Sequence, residues 1–283
     1  MWFASAGTYG LVGYPVQHSF SPAMHNAAFQ ATKINAKYKL FEKKPEELAG
    51  FMGSIQKEKL LGFNVTIPHK ESIIKYVDKL TEEAKLVGAV NTVKIENSVL
   101  TGHNTDGLGF LNHLMDVYRQ PLYGKTVSLL GAGGAGRAVA QYLATEGVAK
   151  IIVYDINKDK VEGLAKQLMV NFEAFEIETA YSVDDLLTAN PDLLINATHV
   201  GMKEEDPLLI NPNRLSHNTF VYDLIYNPEE TKLLKAARVK GLRCTNGLGM
   251  LLNQGILSFE FWTGQKAPVD VMRRALVDAI GRK

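Results

Sequence analysis

An α/β fold in two parts, the second built on a doubly wound parallel sheet, follows from three features of this 283-residue chain. Short β-prone runs alternate with helical ones from Thr8 onward, which predicts parallel strands joined by helices. A glycine-rich turn sits mid-chain, within Thr126 to Ala140, between a buried-strand pattern and a helical one. The length exceeds one average domain and suits two, each able to bury its own core.

In the first half, Tyr9 to Val12 predicts a strand. Ser21-Pro22 reads as the N-cap and first residue of a helix whose apolar face is Met24, Ala27, Ala28 and Ala31. A strand follows at Lys37 to Phe41. Pro45 then opens a helix with Leu48, Phe51, Met52 and Ile55 at helical spacing. Gly62 to Thr66 is a third strand, ended by Pro68, which lacks an N–H donor and holds Ile67 extended. Helical patterns over Ser72 to Leu80 and Thr81 to Val87 precede a hairpin, Ala89 to Ile95 and Ser98 to Gly102, turning at Glu96-Asn97. A helix carrying Phe110, Leu111, Leu114 and Met115 leads to Gln120 to Gly124, which reads as a linker.

Beyond it, Val127, Leu129 and Leu130 predict a strand, and Ala138, Val139, Tyr142 and Leu143 a helix. Between them Gly131, Gly133 and Gly136 stand in G-x-G-x-x-G register. The first glycine permits the turn, the second lets a pyrophosphate approach the backbone, and the third lets the helix pack close to the strand. The helix N-terminus adds free N–H groups and a partial positive charge. Gly131, Ala132, Gly133, Gly134, Ala135 and Gly136 are therefore candidate dinucleotide-binding residues. Strands at Lys150 to Tyr154, Phe172 to Ile177, Leu193 to Asn196, Phe220 to Leu224 and Leu242 to Thr245 follow. Helices over Lys158 to Leu168, Ser182 to Leu187 and Thr231 to Lys240 separate them. This is a doubly wound sheet. The last helices run from Met250 to Trp262 and from Val269 to Ile280.

Composition narrows the function classes. With 46% hydrophobic and 22% charged residues the chain is ordinary globular material. Its formal charge of +1 provides no field for nucleic acid, so small molecules are the expected partners. A single cysteine, Cys244, excludes an intrachain disulfide and a multi-cysteine metal site and fits a reducing cytoplasm. The N-terminal MWFASAGTYG has neither a basic n-region nor an adequate h-region, and no apolar run is long enough to span a bilayer. The seven histidines show no ligand spacing, so no metal is expected.

Polar residues gather where the first-half elements end: Ser19 and Ser21, Asn64, Thr66 and Lys70, Asn91, then Asn104, Thr105 and Asp106. In open α/β sheets such loops line the ligand crevice. Singly, Ser21 and Asp106 also suit helix caps and Lys70 a solvated surface. Together, a lysine and a carboxylate among hydroxyls and amides anchor a polar substrate and move a proton beside a hydride acceptor.

These segments carry a resemblance that runs nearly end to end. Ser19-Phe20-Ser21-Pro22, Asn64 to Lys70 (NVTIPHK), Gly88 to Thr92 (GAVNT), Gly102 to Gly107 (GHNTDG), the glycine loop, Asn196-Ala197-Thr198, Tyr222 to Pro228 (YDLIYNP) and Gly247 to Gln254 (GLGMLLNQ) resemble the shikimate/quinate dehydrogenase family. The resemblance implies reversible, nicotinamide-dependent reduction of 3-dehydroshikimate to shikimate, in aromatic amino-acid biosynthesis. By it, Ser19 and Ser21 hold the substrate carboxylate, and Thr66, Asn91, Asp106 and Gln254 bind ring hydroxyls. Lys70 is the catalytic acid/base, paired with Asp106; Tyr226 closes over the substrate, while Thr198, Gly249 and Met250 lie on the cofactor side. Residues 1–108 and 251–283 then form the substrate domain and 109–250 the dinucleotide domain, the C-terminal helices returning to the first. Whether Lys70, Asp106 or the pair carries the proton stays open, because a neighbouring carboxylate favours the charged lysine and makes it as much a clamp as a base.

The chain departs from the family at the cofactor. The commonest pattern follows the second strand with Asn-Arg-Thr, whose arginine grips a 2'-phosphate, whereas this chain reads Tyr154-Asp155-Ile156-Asn157-Lys158. Asp155, 19 residues beyond Gly136, suits ribose hydroxyls and repels a 2'-phosphate. Lys158 and Lys160 still attract one. NAD is the favoured cofactor, with NADP the alternative. A quinate or dual-specificity dehydrogenase and a non-catalytic metabolite sensor are the competing functions. His199 and Asn246 also depart from the family's usual residues, as tolerated loop substitutions.

Overall fold

The computed structural model describes residues 7–172 and 175–281. Two compact units divide the chain: Met1–Gly109 with Leu252–Lys283, and Phe110–Leu251. The first contains β1 (Gly7–Gly13), α1 (Ser21–Ala31), β2 (Ala36–Glu42), α2 (Leu48–Ser54), β3 (Gly62–Val65), β4 (Lys79–Leu80), α3 (Glu82–Val87), β5 (Thr92–Glu96), β6 (Val99–His103) and the first turn of α4 (Asp106–Tyr118). The second holds the rest of α4, then β7 (Thr126–Leu130), α5 (Gly134–Thr145), β8 (Lys150–Tyr154), α6 (Lys158–Asn171), β9 (Glu176–Thr179), α7 (Asp185–Thr188), β10 (Leu193–Asn196), β11 (Phe220–Asp223), α8 (Lys232–Val239) and β12 (Cys244–Thr245). Helix α9 (Leu248–Thr263) returns the chain to the first unit, where α10 (Val269–Gly281) packs on α1.

The first sheet has the order β2-β1-β3-β5-β6-β4. Side chains alternate across it. Tyr9 and Tyr38 are matched in register; Tyr9 stacks on Phe29, and both tyrosine rings meet Trp262 at a tilt, while Val12, Phe63 and Val65 join Leu48, Phe51 and Ile55 in a separate core cluster. The expectation of parallel strands holds for β1, β2 and β3, and β5 and β6 form the expected hairpin, but β5 runs antiparallel to β3. The hairpin turns at Asn97-Ser98, one residue later than expected, with φ of 52° and 63°. Two successive left-handed residues match the strands' twist.

Two further expectations need correction. Ser72 to Leu80 is not one helix: a 3-10 turn at Ser72–Tyr76 gives way to β4, because Asp78 N donates to the Leu100 carbonyl at 2.9 Å and Asp78 Oδ2 accepts from Leu100 N at 2.7 Å. Tertiary pairing overrides the local helical pattern there. Ser21 is the first helical residue rather than the cap; the Ser19 hydroxyl oxygen accepts from its N–H at 3.2 Å.

The second sheet is wholly parallel, in the order β12-β11-β10-β7-β8-β9. Val127, Leu129, Ile151, Val153, Leu193 and Ile195 face α5 and α6, and Leu130, Ile152, Leu194 and Val221 face α7 and α8. Strand order reverses between β7 and β10, the switch point beside which ligands bind in such sheets. Gln120 to Gly124, read as a linker, lies inside this unit. Of the strand expected at Phe172 to Ile177, residues 173 and 174 lie outside the described residues, as do the first six of the N-terminal MWFASAGTYG; the strand itself is β9.

Candidate active site

In the first unit the chain ends of β3, β5 and β6 converge on one ion pair. Lys70 Nζ donates to Asp106 Oδ2 at 2.6 Å, with side-chain exposures of only 13% and 6%. Lys70 lies in the loop after β3, its carbonyl accepting from Val90 N at 2.8 Å. Beside it the buried His69 ring meets the Lys43 carbonyl oxygen at 2.7 Å, tying the loop down. Asp106 opens α4. Its N–H and that of Gly107 donate to Asn104 Oδ1 at 3.0 and 3.4 Å, while Asn104 Nδ2 donates to the Ala89 carbonyl at 2.9 Å. The helix N-terminus favours a carboxylate.

Asn91 is the hub of this group. Its Nδ2 donates to Asp106 Oδ1 at 2.9 Å and Thr105 Oγ1 at 2.8 Å, and lies 3.5 Å from Gln254 Oε1. Its Oδ1 accepts from Thr105 N and Thr92 Oγ1 at 2.8 and 2.9 Å. Both Asp106 oxygens are therefore occupied and fixed in direction, whereas Lys70 carries three N–H donors and gives one to Asp106. Gln254 reaches the group from α9, which packs so closely on α4 that a Cβ at Gly109 would lie 2.7 Å from Gln254 N.

Ser19 sits in the turn before α1, and Ser21 is buried at that helix's first position. Thr66 follows β3, its N–H donating to the Val12 carbonyl at 2.9 Å. Asn64 and three buried residues absent from the sequence-based candidates, Tyr38, Thr92 and Ser258, back the hub. Tyr38 Oη donates to Asn64 Oδ1 at 2.7 Å; Asn64 Nδ2 reaches the Asn91 carbonyl, Thr92 Oγ1 and Ser258 Oγ; and Ser258 Oγ lies 2.8 Å from Thr92 Oγ1. Ser258 stands four residues from Gln254, on the same face of a mostly apolar helix, the signal that marked it.

In the second unit the glycines act at different points. Gly131 has φ of 98°, and a Cβ on Gly136 would meet the Gly131 carbonyl oxygen at 2.0 Å, so neither admits a side chain. Gly133, the N-cap of α5, faces open space but for Lys160 Nζ at 4.0 Å. The backbone of Gly133, Gly134, Ala135 and Gly136 thus offers helix N-terminal donors where a diphosphate needs them, and the residues fit a dinucleotide. Asp155 closes the other side of the turn: Oδ2 accepts from Ala132 N at 2.8 Å and Oδ1 from Asn157 N at 2.9 Å. Thr198 Oγ1 donates to Asn196 Oδ1 at 2.7 Å. Tyr226 is half-buried after β11, and Met250 is packed into this unit's core. Gly249 lies against His113; a Cβ there would come within 2.1 Å of its ring.

Three family models match in chain order: a shikimate dehydrogenase substrate binding domain over residues 11–93, a shikimate / quinate 5-dehydrogenase over 114–206, and a shikimate 5'-dehydrogenase C-terminal domain over 247–277. A curated relative, the shikimate dehydrogenase (NADP(+)) of Methanopyrus kandleri, is 43% identical over 280 residues, which is 97% of this chain and 96% of the relative. The chain belongs to the shikimate/quinate dehydrogenase family.

Solved structures of the family extend the likeness to three dimensions. Shikimate dehydrogenase from Aquifex aeolicus is 39% identical with a TM-score of 0.87, over 98% of this chain and 99% of that one. Shikimate 5-dehydrogenase from Listeria monocytogenes, in complex with shikimate and NAD, is 36% identical with a TM-score of 0.83, over 96% of each. As a member of this family the chain is a nicotinamide-dependent oxidoreductase. Among the described residues no group of side chains is arranged to hold a metal ion, and no helix is long and apolar enough to cross a membrane. Asn246 caps α9, its Oδ1 accepting from Leu248 N at 3.1 Å, while His199 is exposed.

Proposed function

We propose that this protein reversibly reduces 3-dehydroshikimate to shikimate, with Lys70 as the acid/base and NAD as the better cofactor. The observation that carries the reading is the nearly dry Lys70–Asp106 pair held by Asn91. Reduction of a ring ketone needs a proton at the oxygen as hydride reaches the carbon. Lys70 keeps N–H donors for that oxygen, and its positive charge stabilises the developing alkoxide. Asp106, engaged on both oxygens, orients the ammonium. Ser19 and Ser21 at the start of α1 hold the substrate carboxylate, Thr66, Asn91 and Gln254 hold ring hydroxyls, and Tyr226 covers the ring. A reduced dinucleotide held on the glycine loop would supply that hydride, its nicotinamide beside Gly249 and Met250. The substrate-binding unit comprises residues 1–108 and 251–283.

For the cofactor, each Asp155 oxygen takes one backbone N–H and retains a lone pair for a ribose hydroxyl. The same charge repels a 2'-phosphate. The relative in complex with NAD supports this preference. NADP is the second reading, favoured by the names of the curated relatives and by Lys160 beside Gly133.

Absorbance of the reduced nicotinamide, with shikimate and quinate each paired with NAD and NADP, tests both parts. The expected result is turnover of shikimate with kcat/KM higher for NAD, and a relative gain for NADP of about tenfold in Asp155→Asn. A wild-type preference for NADP refutes the cofactor assignment, and faster turnover of quinate than of shikimate refutes the substrate.

A further inference from the structure

Asp223, at the carboxyl end of β11, is fully buried and has no cationic partner among the described residues. Burial pushes its pKa up to about 6, against hydrogen bonds from Thr231, Ile225 and Asn196 that pull it down. An ionisable group buried without a counter-charge is unfavourable for stability. Its use lies in what it holds.

Asp223 Oδ1 accepts from Asn196 Nδ2 at 3.0 Å and from Ile225 N at 3.1 Å, and Oδ2 accepts from Thr231 Oγ1 at 2.6 Å. Because a carboxylate only accepts, it turns the Asn196 NH2 toward β11 and the amide oxygen toward the loop after β10. There Asn196 Oδ1 accepts from Thr198 N at 3.1 Å and Thr198 Oγ1 at 2.7 Å, and Thr198 Oγ1 accepts from Val200 N at 3.1 Å. The turn so held lies against the first glycine of the phosphate loop. A Cβ on Gly131 would come within 3.0 Å of the Ala197 carbonyl and 3.2 Å of Thr198 Cγ2. The other bond on Oδ1 holds the backbone one residue before Tyr226.

We propose that Asp223 is a positioning residue for the dinucleotide site, setting through Asn196 the place of the Ala197–Thr198 turn against Gly131. The inference rests on the dinucleotide reading above. Removing the carboxylate takes away the shorter of the two bonds on the Asn196 amide nitrogen, leaving it the Val200 carbonyl at 3.3 Å, and the turn loses its anchor to β11. Asparagine at 223 preserves the pattern, with Oδ1 accepting from Asn196 and Ile225 and the amide donating to Thr231 Oγ1.

The test is calorimetric titration of the full-length protein with NAD and with NADP, at a temperature where every variant is folded by circular dichroism. Asp223→Ala is expected to weaken the better dinucleotide about tenfold, the loss of one or two buried hydrogen bonds. Asp223→Asn is expected to stay within about threefold of wild type. Leu168→Ala, a core truncation in α6, serves as the control for destabilisation alone and is expected to bind normally. Wild-type affinity in Asp223→Ala, or an equal loss in Leu168→Ala, overturns the proposal. If Asp223→Ala does not fold, Asn196→Ala takes its place, with the same tenfold loss expected and unchanged binding overturning the idea. Failure of the wild type to bind either dinucleotide removes the dinucleotide reading, and this inference with it.

Discussion

Replacing Lys70 by alanine removes the ammonium that donates to Asp106, and the structure sets the size of the effect. The pair is 2.6 Å apart with side-chain exposures of 13% and 6%, so solvent screens it little. A positioned general acid contributes about 10²–10⁴-fold. The middle of that range, about 10³-fold, is about 4 kcal/mol of barrier. Breaking a buried pair destabilises by about 3–5 kcal/mol when the remaining charge is left alone. Asp106 retains Asn91 Nδ2 and its place at the start of α4, so the lower end of that range applies here. Dinucleotide affinity should stay within about twofold, because the Lys70 side chain donates to Asp106, within the first unit. Initial rates at saturating shikimate and cofactor give kcat, and titration of the folded variant gives the dinucleotide Kd. A kcat within tenfold of wild type would refute the assignment of Lys70, and a kcat loss matched by an equal loss of cofactor affinity would point to disruption instead of chemistry.

Two more tests follow. Gly136→Ala places a methyl 2.0 Å from the Gly131 carbonyl oxygen; the turn must open, so a loss of dinucleotide binding greater than about tenfold is expected, and normal binding would contradict the close-approach argument. His25 is fully buried, stacked on Tyr38 at 4.5 Å and 8°, with both ring nitrogens unpartnered among the described residues, and burial lowers its pKa from 6.5 to about 3. The folded form therefore resists the proton that the unfolded chain accepts, so this contribution to stability is complete above pH 6.5 and is lost as pH falls toward 3. At pH 5 the loss is about 2 kcal/mol. His25→Phe should flatten the fall in Tm between pH 6.5 and 4 relative to wild type, Asp223 being common to both, and parallel Tm curves would refute the account.

Much of this protein could be read from residue order because its local and tertiary preferences agree. Gly131 and Gly136 are required by backbone geometry alone, and the near-continuous apolar runs of β7, β8 and β10 mark strands buried on both faces. Motif order likewise brought Lys70, Asp106, Asn91 and Gln254 onto one list. Local pattern failed where distant partners decide the conformation, as at β4, which Leu100 pulls out of a helical stretch, and in the pairing of β5 antiparallel to β3.

By itself the amino-acid sequence determined the α/β layering, the phosphate-binding turn and the family, since each depends on periodicity and residue type within short windows. Only the tertiary structure decided which polar side chains share hydrogen bonds: Asn91 joining Asp106 to Gln254, Tyr38 and Ser258 supporting Asn64, and Asp223 holding Asn196. Those partners lie up to 194 residues apart, as for Asn64 and Ser258, and chain folding alone brings them within 3.0 Å. A hydrogen bond depends on distance and direction in space, and neither is encoded by separation along the chain.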